Sequence, residues 1–186
     1  METKIEINCI IGIDPGANGG IAIWIEGAKT KVAKMPKDST DLCEFFAYYR
    51  ENYKPIVFLE KLSIRPDDVR VEGQSANMGK LYRIQKMIAN YEHLRALIET
   101  AGIPYVLVHP MTWQTKLMLR ARGVKEDKKV RKLRYQAMAA QWYPEVKVTL
   151  WNADALCIAQ FGRWALYSDR KWIQGNLPAR EYDKLF

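Results

Sequence analysis

The 186 residues are enough for one domain with a substantial core and short for two. Hydrophobic residues make up 48%, which excludes a disordered chain, and three cysteines with two histidines exclude a disulfide scaffold or a histidine-rich metal centre. The net charge of +8 points to a polyanionic partner.

In chain order, Asn8 to Asp14 reads as a buried strand, Gly20 to Ile25 as a second and Lys29 to Met35 as a weaker third. Ser39, Thr40 and Asp41 offer a helix N-cap, and the apolar and aromatic residues through Tyr53 suit a helix packed on a sheet. PIVFLE, ending at Glu60, is a fourth strand, and a polar loop runs from Ile64 to Asn77. Leu81, Ile84, Ile88, Tyr91, Leu94 and Ile98 recur at helical spacing within a long helix from Met78 to Thr100, which Gly102 closes. IPYVLVH is a fifth strand. Helices are predicted at Pro110–Leu119, Asp127–Trp142 and from near Asn152 to Tyr167. Residues 1–169 are expected to form the domain, with 170–186 a polar tail open to disorder.

The first three strands are separated by gaps fit only for hairpins, and the other two are each reached through a helix. An α/β fold is expected: a mixed five-stranded sheet, three strands antiparallel and two parallel, with helices on both faces. Cys9, Cys43 and Cys157 form no CxxC pair and read as reduced thiols. Met1–Glu6 lacks the regions of a secretion leader, and the apolar run Cys9–Ile13 is far too short to span a bilayer. A cytoplasmic protein with no membrane partner is expected.

Asp14 and Glu60 fall at the C-terminal ends of strands one and four, where open α/β sheets form their ligand crevice. Asp154 falls in the first turn of the helix that starts near Asn152. Each has an ordinary explanation alone: Asp14 as the start of a DPG turn, Glu60 as an exposed strand end, Asp154 as a charge favouring the helix dipole. Together they would converge on one rim and need a cation to stay ionised, and hard oxygen donors favour Mg²⁺ or Mn²⁺. Two such ions about 4 Å apart suit in-line hydrolysis of a phosphodiester. From Lys116 to Arg134 nine Lys or Arg residues stand against Glu126 and Asp127. Arg120, Arg122, Lys125, Lys128, Lys129, Arg131 and Lys132 fall within this basic segment. It is either a solvated face or a track for phosphates.

The motifs IGIDPGANGGIA, VFLEK, GKLYRIQ, YVLVHPMTWQ and NADALCIA, in this order, resemble the RuvC-like Holliday junction resolvases over roughly Ile7 to Trp164. The resemblance implies a ribonuclease-H-like fold, a homodimer and Mg²⁺-dependent symmetric nicking of four-way DNA, with Asp14, Glu60 and Asp154 as metal ligands. Where the family places a fourth acidic residue or histidine, this chain has Trp151, with Asn152 beside it as a substitute oxygen donor. The resemblance also places Arg65, Arg70 and Gln74 in a loop reaching into the junction and Lys116 near the rim. It assigns the long helix part of a two-fold interface. Two alternatives stay open: a nuclease for other branched DNA or RNA–DNA hybrids, and a structure-selective DNA-binding protein whose nuclease site has decayed.

Overall fold

The computed structural model describes residues 7–16, 18–64, 78–120, 123 and 125–177. Their strands are β1 (Cys9–Ile13), β2 (Gly20–Ile25), β3 (Lys31–Lys34), β4 (Pro55–Glu60) and β5 (Tyr105–Val108), in the sheet order β3-β2-β1-β4-β5. β1 pairs antiparallel with β2 and β2 with β3, while β4 runs parallel to both β1 and β5, as expected. The order explains the patterning. β1 is central and covered on both faces, so all its residues are buried and it carries no polar alternation. β3 lies at an edge, with exposed Lys31 and Lys34 at its ends, which discourages pairing with another sheet.

α1 (Ser39–Asn52) and α2 (Met78–Thr100) cover one face, packing Leu42, Phe46, Tyr91, Leu94 and Ile98 on Ile11, Ile13, Val57 and Leu59. α3 (Pro110–Lys116), α4 (Lys128–Trp142), α5 (Ala153–Ser168) and α6 (Arg170–Asn176) cover the other, over Ile10, Ile56, Phe58, Val106 and Val108.

Several boundaries differ in detail. The N-cap of α1 is Asp38, one residue before the expected group, its carboxylate accepting from Thr40 N at 2.6 Å. α3 ends at Lys116, and Met118 just beyond it turns into the left-handed region at φ 56°. Gly102 closes α2 at φ 65°, as expected. The expected tail begins with a helix: in α6 Ile173 is buried, and Leu177 after it joins the core beneath α5. Residues 178–186 lie outside the described residues.

Candidate active site and nucleic-acid face

Strand periodicity alone brings the first two carboxylates together. In the parallel pair β1–β4, Ile10 lies opposite Ile56 and Gly12 opposite Phe58. Side chains at every second residue share a face, and Ile10, Ile56 and Phe58 all point under α5. Continued by two residues, the register sets Asp14 beside Glu60 at the strand ends, on that same face.

Asp154 arrives from α5 because the helix sits directly on β1. A Cβ on Gly12 would stand 2.4 Å from Ala159 N and 2.5 Å from Ala155 O, so only glycine admits this approach. Asp154 immediately precedes Ala155 and Asp14 lies two residues beyond Gly12, so one close contact draws both toward the rim. Asp154 is 6% exposed.

The electrostatics record that proximity. Burial pushes the Glu60 carboxyl up to about 7, and the negative charges of Asp14 and Asp154 add to the rise. Trp113 opposes it, donating from Nε1 to Glu60 Oε1 at 2.9 Å. Asp14 is likewise raised, first by burial and then by Asp154, against the N–H of Gly16, which Asp14 Oδ1 accepts at 3.1 Å. Asp14 therefore serves the DPG turn as well as the rim. Lys132 of α4 makes an ion pair from Nζ to Asp154 Oδ2, and its charge also favours ionised Asp14 and Glu60.

Two clefts open from the rim. One of about 260 Å³ is lined by Asp14, Glu60, Ser63, Met87, Tyr91 and Pro110. The other, about 450 Å³, is lined by Asp14, Asn18, Lys132, Leu150 and Trp151. Asp14 lines both.

The donors suit a hard cation. The carboxylates repel one another, and Asp154 Oδ1 is buried with no hydrogen-bond partner among the described residues. Among those residues no three Asp, Glu, His or Cys side chains close around a point as a complete ligand group, so water and phosphate oxygens would have to finish the shell.

Asn152, the expected substitute ligand, is already engaged within its own turn. Its Oδ1 accepts from Thr149 N at 2.8 Å and its Nδ2 donates to Lys147 O at 3.1 Å, so the amide braces the turn before α5 at 1% exposure. Trp151 packs against Gly20: a Cβ there would meet its ring carbon Cζ3 at 2.9 Å.

The basic residues divide. Lys125, Lys128 and Lys129 are exposed, Arg131 is half-buried, and Lys128 and Lys129 lie one turn before Lys132. Arg120 turns inward, with NH1 donating to Gln114 Oε1 at 3.3 Å. Lys116, expected near the rim, lies instead 4.0 Å from Asp169 and 4.8 Å from the Trp164 ring. That is ten residues along α5 from Asp154, or about 15 Å of helix. Arg65, Arg70, Gln74 and Arg122 lie outside the described residues.

Sequence reasoning missed the part of Trp113 and gave Lys132 only a phosphate-tracking part. The position of Trp113 in the first turn of a helix that follows a strand end was the available signal for the former. Nothing in the sequence signals the latter.

The sheet order, the strand senses and the helices on both faces are those of a ribonuclease-H-like fold. No protein-family model matches the chain, and no curated protein matches it. Among solved structures it is similar to RuvC of Thermus thermophilus, at 17% identity and a TM-score of 0.53, covering 91% of this chain and 98% of that one. It is also similar to a structure described as T. thermophilus RuvC in complex with Holliday junction substrate. There the identity is 17% and the TM-score 0.51, over 88% of this chain and 98% of that one. The RuvC-like fold is thus shared over nearly the whole of both chains.

Proposed function

We propose that the protein is a divalent-metal-dependent endonuclease that resolves four-way DNA junctions by symmetric phosphodiester hydrolysis, in DNA recombination and repair. The observation that carries this reading is the convergence of Asp14, Glu60 and Asp154 on one rim of a RuvC-like fold, with Asp14 and Glu60 ionised only at electrostatic cost. Mg²⁺, or Mn²⁺ in its place, would supply a Lewis acid for the phosphate and an acidified water. Asp14 and Asp154 would hold it, with Glu60 kept in place by Trp113. The junction bound to the similar T. thermophilus RuvC structure supports branched DNA as the substrate.

Lys125, Lys128, Lys129 and Arg131 would seat the phosphates. Lys128 and Lys129 occupy the first turn of α4 directly behind the N-cap Asp127, in a turn that itself holds no acidic residue and where the helix dipole disfavours cations. Positive charge placed against that preference is accounted for by an anionic partner, and such contacts set position with little base discrimination.

A second copy of the chain fits α2. Only Tyr91, Leu94 and Ile98 of this 23-residue helix are buried, while Met78 and Tyr82 in its first half are 72% and 66% exposed. A homodimer would present two sites to the two equivalent strands of a junction. No helix among the described residues is long and apolar enough to cross a membrane, and all three cysteines are free, which agrees with action in the cytoplasm.

The test is cleavage of a labelled mobile four-way junction, a Y-fork and an RNA–DNA hybrid, with and without Mg²⁺. Paired symmetric nicks confined to the junction and to Mg²⁺ are expected. Preferential cutting of the fork or hybrid would transfer the reading to those substrates. Tight junction binding with no cutting would favour the decayed DNA-binding protein, the alternative that Trp151 raises.

A further inference from the structure

We infer that the ammonium of Lys132 stands in for one of the two divalent cations that such a carboxylate rim would otherwise take, so that the site binds a single metal ion. This rests on the nuclease reading above and specifies its metal chemistry.

Three observations carry it. Lys132 is already placed among the carboxylates: Nζ pairs with Asp154 Oδ2 and its charge acts on Asp14 and Glu60 as well. The placement belongs to the fold. Lys132 stands one turn before Tyr135, which is buried edge-on against Trp113 at 5.1 Å, and the same Trp113 holds Glu60. One packed unit, α3 against α4, thus fixes both the lysine and a carboxylate.

The ligand supply is also short of two ions. The residues just before Asp154 offer an indole packed on Gly20 and a buried amide whose two ends are already hydrogen-bonded to Lys147 O and Thr149 N. With Glu60 held by Trp113, one Asp154 oxygen held by Lys132 and Asp14 Oδ1 accepting from Gly16, the free donors are Asp14 Oδ2, the remaining Glu60 oxygen and the unpartnered Oδ1 of Asp154. They suit one ion completed by water.

The charges agree. Three carboxylates carry −3, which one divalent ion and one lysine neutralise. Two divalent ions with the lysine would carry +5 against the same three groups, and a bound phosphodiester adds only one negative charge. Lys132 is accordingly a positioning residue: it holds Asp154, and its charge faces the cleft where the phosphate would lie.

The test is to count Mn²⁺ bound per chain by titration calorimetry and electron paramagnetic resonance, in the full-length protein and in Asp14→Asn, Lys132→Ala and Lys132→Arg. One ion in wild type that is lost in Asp14→Asn, two in Lys132→Ala and one in Lys132→Arg is the expected set. Two Asp14-dependent ions in wild type would overturn the inference while leaving the nuclease reading in place, whether or not the variants fold. A folded Lys132→Ala that still binds one ion with unchanged affinity would overturn it too. No Asp14-dependent ion in wild type or in Lys132→Ala would remove the metal-nuclease reading, and this inference with it.

Discussion

The two faces of the central sheet are filled by opposite means. Under α5 the helix backbone lies on the strand: Gly12 and Gly162 have no room for a Cβ, and eleven of the sixteen α5 residues are buried, Asp154 among them. Under α1 and α2 ordinary side chains interlock, and α2 leaves the first half of its length largely in solvent. The face with least tolerance is the one that carries the chemistry. Carboxylates that repel one another stay together only where the surrounding packing cannot relax. The looser face carries no carboxylate of the rim and has surface left over for a partner.

The sharpest break of this contrast is Gly12→Ala. The added methyl meets backbone atoms of α5, which have no rotamer to yield, so a loss of about 3 kcal/mol is expected. Any α5 shift moves Asp154, so cleavage per folded molecule should fall as well. Leu94→Ala on the α2 face, where a buried leucine becomes a cavity, should cost about 2–3 kcal/mol in urea unfolding and leave that rate unchanged. Equal kinetic damage from both variants would erase the distinction between the faces.

Next in size is Glu60→Gln in metal-free protein. The folded carboxyl titrates near 7 against an ordinary 4.5, so folding favours its neutral form. The stability this group contributes is fully present below pH 4.5 and is lost as pH rises through 7. Gln is neutral throughout and can still accept from Trp113. Variant and wild type should therefore match near pH 4.5, and the variant should be more stable at pH 8 by on the order of 2 kcal/mol. Urea unfolding in EDTA at the two pH values measures it, and a difference that does not grow with pH would refute a buried, repelled Glu60.

The smallest effect on stability should come from Tyr82→Glu on the open part of α2, within about 0.5 kcal/mol for the monomer. Sedimentation should nonetheless show the dimer lost. A dimer that persists would place the two-fold contact elsewhere.

Much of this was legible in the sequence because it depends on period and position. Uniform apolarity marked β1 as buried, the short gaps marked the hairpins, and the strand-end locations of Asp14 and Glu60 followed from where the runs stop. The failures share a cause. Asn152 looked like a spare oxygen donor because its partners, Lys147 O and Thr149 N, are defined only once the turn before α5 has folded. Lys116 looked close to the rim because it follows β5, but α3 carries it toward Asp169 and Trp164. The 170–177 segment looked like a tail since its apolar residues, Trp172, Ile173 and Leu177, are too few to show a period, yet they complete the core beneath α5. Long-range side-chain partnerships leave no local pattern to read.

The most direct test of the gathered carboxylates is to assay Asp14→Asn and Asp154→Asn side by side for junction binding and for Mg²⁺-dependent cleavage. Both substitutions keep side-chain shape and remove one negative charge. Binding within about threefold of wild type, with cleavage down roughly a thousandfold or more in each, is expected of ligands around a common centre. Near wild-type cleavage by either variant would contradict the assignment of that residue to the site.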